Sequence, residues 1–234
     1  MRFPGFLDAC AEILAPTRCA GCERLGTVLC DHCIEVIQGY RMKHRCPRCG
    51  APYGELICTE CEGQEFVFNK VICLGELDGP LSRAVVIYKD VYEVRLGSAL
   101  GDLLAQQCVH ELSMTQTRVD VVTWIPPTVR AYRRRGYDHA GILAQHVARH
   151  LGCSAIQHLK RCRMRDMRRL SREQRIIESH DSFAWLAEKP DLHGARVLVV
   201  DDVMTTGATL NGATRMLIDA GAAIATGVVV ARAW

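Results

Sequence analysis

A chain of 234 residues with 49% hydrophobic and 24% charged side chains has ordinary globular make-up, which excludes a disordered or fibrous protein. No run of eighteen apolar residues occurs, so a transmembrane helix is not expected and the chain is read as cytoplasmic, without membrane insertion. The net charge of +3 is unevenly spread: residues 130–175 hold thirteen basic and three acidic side chains, whereas residues 1–70 hold eight basic and nine acidic ones.

The first nineteen residues read as a short amphipathic helix, because Asp8 and Glu12 interrupt the apolar stretch that a signal peptide needs. Four C-x-x-C pairs follow: Cys19/Cys22, Cys30/Cys33, Cys46/Cys49 and Cys58/Cys61. Two intervening residues let one tight turn aim both sulfurs at a tetrahedral metal, and two turns close the site. Ligand type and spacing favour two structural Zn²⁺ sites over redox pairs or an iron–sulfur cluster. Sequential and interleaved pairing both satisfy the spacing. His32 and His44 are read as bystanders. Residues 1–66 thus form an N-terminal helix and a double zinc-ribbon module, with a local basic face at Arg41, Lys43, Arg45 and Arg48.

From residue 67 to 234 the pattern changes to short β-branched strands alternating with helices. Strands are expected at VICLGEL, VDVVTWIPP, 154–159, ARVLVVDDV and AIATGVVVAR. Helices are expected near 80–88, 94–112, 136–151 and Thr209 to Ala220. Such alternation predicts an α/β fold with a doubly wound parallel sheet, whose ligands bind beyond the carboxyl ends of the strands.

The run VLVVDDVMTTGAT carries the chemistry. A buried strand, Val197–Val200, delivers Asp201 and Asp202 to its end. Thr205, Thr206, Gly207, Ala208 and Thr209 then lead into a helix, so their N–H groups and hydroxyls form an anion site. The carboxylates suit ribose hydroxyls and, indirectly, a hydrated Mg²⁺. No Walker A sequence accompanies them. Upstream, Pro126-Pro127-Thr128 makes a rigid turn followed by Arg130, Arg133, Arg134 and Arg135, at least one of which is assigned to phosphate contact. The stretch 159–185 holds Lys160, Arg161, Arg163, Arg165, Arg168, Arg169, Arg172 and Arg175, a loop for diphosphate or a polyanion such as single-stranded DNA, or else a solvated face. It lacks aromatic residues between 160 and 175, and therefore a base-stacking platform.

The run from Val197 to Thr209 resembles the signature of type I phosphoribosyltransferases, which bind phosphoribosyl diphosphate (PRPP). The chain over nearly its whole length resembles the ComF/GntX family, competence-associated proteins that join a cysteine-rich zinc ribbon to such a domain. The resemblance implies that Asp201 and Asp202 hold the ribose hydroxyls and stabilise the reacting centre. It further implies that Thr205 to Thr209 cradle the 5′-phosphate, that Pro127 and Thr128 meet the diphosphate, and that Lys89 and Arg135 reach the phosphates. Thr205 stands where some purine-processing members carry a catalytic Asp. Arg134-Arg135-Gly136-Tyr137-Asp138-His139 replaces the usual R-R-G-F-N-Q, and residues 159–185 correspond to a hood loop over the site. Leu170, Ser171, Arg175 and Phe183 fit the hood pattern; Met167 and Glu178 depart from it. Implied partners are PRPP with Mg²⁺, single-stranded DNA along 130–175 and DNA-uptake proteins. Implied activities are phosphoribosyl transfer to an unknown acceptor, a non-catalytic role on DNA, or PRPP sensing.

Overall fold

The computed structural model describes residues 16–39, 45–52, 54, 56–162 and 182–233. Residues 1–15 of the expected N-terminal helix, Arg41, Lys43, His44, the arginines from Arg163 to Arg175, and Met167, Leu170, Ser171 and Glu178 lie outside these residues; residues 16–19 are not helical. Among the described residues no helix is long and apolar enough to cross a membrane.

Helix α1 (Asp31–Gln38) belongs to the cysteine-rich segment. Strand β1 (Val71–Glu76) leads to α2 (Gly79–Asp90), whose first turn is capped by the Asp78 carboxylate accepting from Gly79 N at 2.7 Å. Helix α3 (Leu96–Met114) and strand β2 (Val121–Trp124) follow. The strand stops where Pro126 and Pro127 can no longer donate to a ladder. The helix expected over 136–151 is a single helix that starts three residues later, and a further short helix precedes it. Thr128 caps a short α4 (Val129–Arg135), Gly136 ends it in the left-handed region, and Asp138 caps α5 (His139–Leu151). The expected strand at 154–159 is two pieces, β3 (Ser154–Ala155) and β4 (Leu159–Arg161), the latter pairing antiparallel with β5 (Phe183–Trp185). Strand β6 (Arg196–Met204), α6 (Ala208–Asp219) and β7 (Ile224–Arg232) complete the order.

Five strands make one parallel sheet in the order β1-β7-β6-β2-β3. From β2 the chain moves outward to β3, then returns to β6 and proceeds the other way to β7. The direction therefore reverses between β2 and β6, where a ligand crevice is expected. Strand β6 is longer than Val197–Val200: its partnership with β2 ends at Trp124↔Val200, but pairing with β7 continues to Met204↔Arg232. Asp201 and Asp202 thus sit on strand backbone with one side open toward the end of β2.

Each sheet face needs a cover. On one face Leu100 and Leu104 of α3, Ala144 and Val147 of α5, and Leu81 and Tyr88 of α2 pack over Leu74, Val122, Leu198 and Val228. On the other, α6 supplies Leu210, Ala213 and Leu217 over Val71, Val199 and Val229, with Phe68 and four cysteines completing the layer. The cysteine-rich segment also meets the edge of β1, where Val71 N donates to Arg48 O at 2.9 Å and Arg45 Nη1 donates to Cys73 O at 2.9 Å.

Candidate functional site

The crevice is built from the ends of β2 and β6 and the helices that follow them. Asp202 is buried, and its Oδ2 lies 2.7 Å from Lys89 Nζ and 3.0 Å from His139 Nε2. Both groups approach that oxygen within hydrogen-bonding distance. Lys89 comes from the end of α2 and His139 from the start of α5. Arg135 joins them: its Nε donates to Lys89 O at 2.9 Å, and its Nη1 lies 3.0 Å from His139 Nδ1. A guanidinium can only donate, so Nδ1 is the acceptor and Nε2 carries the proton facing Asp202.

Burial raises the Asp202 pKa, but His139 and then Lys89 outweigh it, holding the carboxyl below the usual range. For Asp201 burial, reinforced by the neighbouring Asp202 charge, raises the pKa well above the ordinary carboxylate value. The adjacent acids are thus pushed apart, one ionised and one inclined to keep its proton. Two local bonds set their rotamers: Asp201 Oδ1 accepts from Asp202 N at 2.8 Å, and Asp202 Oδ1 from Val203 N at 2.7 Å. A further cation faces the pair. Arg161 donates to Pro126 O at 3.0 Å and lies over the Phe183 ring; burial lowers its pKa, while the charges of Asp201 and Asp202 oppose that shift.

The second half of the crevice is the loop 205–209. Gly207 has φ +77°, a conformation that costs a side-chain-bearing residue about 1–2 kcal/mol. There the backbone turns into α6, and Thr206 Oγ1 accepts from Ala208 N at 3.4 Å. Asp201, Val203 and residues 204–209 line a small cleft of about 30 Å³. The N–H groups at the start of a helix favour an anion there.

The structure gathers Lys89, Arg135, Asp201, Asp202 and the loop Thr205, Thr206, Gly207, Ala208, Thr209 around one sheet end. Pro127 and Thr128 stand at the turn beyond β2, where the Thr128 hydroxyl is used as a cap accepting from Ala131 N at 3.1 Å. Arg130 and Arg133 are exposed, and Arg134 pairs with Asp90 at 3.7 Å. Only Arg135 of that run turns inward. Sequence reasoning missed His139 as a partner of Asp202, although the departure at Asp138-His139 marked the position. Asp138 takes Trp124 Nε1–H at 2.8 Å and Gly141 N–H at 2.9 Å, so an acid serves that structural place.

The eight paired cysteines form two sequential groups, Cys19/Cys22/Cys30/Cys33 and Cys46/Cys49/Cys58/Cys61, which removes the interleaved alternative. Within each group the sulfurs lie within 4.8 Å of one another. The separations Cys22–Cys30, 3.5 Å, and Cys49–Cys58, 3.6 Å, are far too long for disulfides. They approach the edge of about 3.8 Å that tetrahedral metal–sulfur bonds of about 2.3 Å would give. Both groups repeat one detail: Cys30 N donates to Cys19 Sγ at 3.3 Å, and Cys58 N to Cys46 Sγ at 3.4 Å. Burial disfavours both thiolates, yet these N–H donors and their neighbours lower Cys19 to about 6 and Cys46 to about 7. The donor sets fit Zn²⁺, and such an ion would cross-link segments that have little apolar core of their own.

Residues 124–233 match the family model of the phosphoribosyl transferase domain. The DNA utilization protein YhgH of Salmonella typhi is 27% identical over 210 residues, covering 83% of this chain and 86% of that protein. Competence protein F of Haemophilus influenzae is 29% identical over 195 residues, 81% of this chain and 83% of the relative. Competence protein ComFC of Bacillus subtilis is 26% identical over 191 residues, 77% and 74%. The phosphoribosyl transferase domain match, these relatives and the two four-cysteine clusters together support the ComF family for this chain.

Proposed function

We propose that the crevice binds PRPP, with the 5′-phosphate in the loop Thr205–Thr209 and the ribose hydroxyls on Asp201 and Asp202. The observation that carries the reading is the direct passage of β6 from an acid pair into a left-handed glycine and a helix start, at the point where the sheet reverses direction. Lys89, Arg135 and Arg161 supply positive charge beside it, as a diphosphate requires. Asp202 is engaged by Lys89 and His139, which leaves Asp201 as the acid to meet a hydrated Mg²⁺ carried by the ligand, the cation's charge favouring loss of the proton that burial retains. That cation would neutralise charge on the leaving diphosphate.

Transfer from this ligand would break the bond between C1 of the ribose and the diphosphate oxygen, the bonding pair leaving with diphosphate. The acceptor would bond to C1 and release its proton. Asp201 and Asp202 would stabilise the cationic sugar between these events. Thr205 offers no base to take that proton, so the acceptor must be nucleophilic without one.

The names of the relatives refer to DNA utilization and competence. We infer a role in DNA handling for this chain too, with PRPP as substrate or as signal. Calorimetric titration of the zinc-loaded protein with PRPP and Mg²⁺, followed by a single-stranded oligonucleotide, tests both parts. Wild type is expected to bind PRPP, and the Asp201→Asn/Asp202→Asn double variant is not. Failure of wild type to bind at millimolar PRPP overturns the reading. Oligonucleotide binding by both proteins would leave DNA as the ligand.

A further inference from the structure

The anion loop is held from behind by Arg232, the last residue of β7. Its guanidinium is 3% exposed; Nη1 donates to Met204 O at 3.2 Å and also to the carbonyls of Thr205 and Ala233. In a trans peptide the C=O and N–H point in opposite directions. Turning the carbonyls of Met204 and Thr205 toward Arg232 therefore turns the N–H groups of Thr205 and Thr206 the other way. Nη2 of the same guanidinium meets Glu60 Oε2 at 3.3 Å, and Glu60 lies between Cys58 and Cys61.

Other contacts join the same two regions. Asn211 Oδ1 accepts from Val67 N at 2.6 Å, while Asn211 N donates to Gly207 O at 2.8 Å. Phe66 and Phe68 stack with ring centroids 4.5 Å apart, and both rings border Gly207. Arg48 ties the cysteine turn to this pair by donating to Phe66 O at 3.3 Å. The first cysteine group contacts a different part of the molecule. Gly21 O accepts from Arg83 Nη1 at 3.4 Å, and Cys19, Cys30 and Cys33 pack with the helices of the opposite sheet face.

We propose that the second cysteine cluster and the anion loop are thermodynamically linked through Glu60 and Arg232, and that the first cluster stands outside the link. The proposal rests on the PRPP reading. A metal held by Cys46, Cys49, Cys58 and Cys61 fixes Glu60, Glu60 orients Arg232, and Arg232 sets the peptides that receive phosphate. Because binding linkage is reciprocal, a bound ligand must retain that metal by the same factor. Glu60 and Arg232 are positioning residues: neither touches the phosphate position itself.

The test follows zinc release from the zinc-loaded full chain to a chromophoric chelator, with and without saturating PRPP and Mg²⁺. Two release phases are expected, one slowed at least about fivefold by the ligand and one unchanged. Glu60→Gln, at a half-exposed position, should retain both metals and still bind PRPP, yet lose the protection. PRPP binding by calorimetry with neither phase slowed, or with both slowed equally, overturns the link and leaves the ligand reading standing. So does protection that survives in Glu60→Gln. Absence of PRPP binding removes the ligand reading and the link together.

Discussion

The two ends of the crevice are prepared for a ligand in opposite ways. At the anion loop the geometry is set by backbone: Gly207 at φ +77°, the Asn211 N–H on its carbonyl, and Arg232 behind. Phosphate would add to groups that already face it. At the acid end, Asp202 is paired with Lys89 at 2.7 Å and His139 at 3.0 Å, so the ligand would exchange for contacts the protein already makes. The first end gains by preorganisation, which reduces the ordering cost of binding. The second avoids leaving a buried charge alone while empty. On the PRPP reading, a site with both kinds of end would be stable without ligand and selective for a molecule carrying phosphate at one side and hydroxyls at the other.

The contrast breaks most sharply at Asp202. Replacing it with Asn removes the charge that Lys89 faces and should cost about 3 kcal/mol of stability in urea unfolding at neutral pH. The pKa of Asp202 is depressed from the ordinary 3.8, so its contribution is present above about pH 4 and is lost as pH falls further. Wild type should therefore destabilise through that acid range by a step that the variant lacks. An identical pH profile for the two proteins would show that the pairing contributes nothing.

Gly207→Ala probes the other end. The strain of about 1–2 kcal/mol at φ +77° adds to a methyl that would stand 2.7 Å from Met204 Cε, although the end of that side chain can shift. PRPP affinity should drop about tenfold in calorimetry, since each 1.4 kcal/mol is about that factor. Unchanged affinity would mean that the loop is not preset.

The smallest change in stability is expected at Asp201, and it has the opposite sign. Its pKa is raised in the folded protein by burial and then by Asp202, so folding loses stability as pH rises above about 4. Asp201→Asn should gain up to about 1 kcal/mol at pH 7, a gain that vanishes near pH 3, while PRPP binding is lost. A destabilised Asp201→Asn protein would show that this acid is a structural partner.

Much of this was legible because it is local. A C-x-x-C turn, the acid pair leading into Thr-Thr-Gly-Ala-Thr, and β-branched runs alternating with helical periods each express their chemistry within a dozen residues. The sequence alone therefore determined the parallel α/β class, the eight clustered cysteines and the acid-to-loop passage. It started one helix at Gly136, three residues early, and did not give α4, since the cap at Asp138 is fixed by Trp124, a residue of a neighbouring strand. Only the tertiary structure decided which sheet face each cysteine cluster covers, that His139 meets Asp202, and that Glu60 reaches Arg232 across 172 positions. The reason is register: the pairing Met204↔Arg232 and the parallel order of five strands bring these groups together, and no local run of residues encodes a distance between strands.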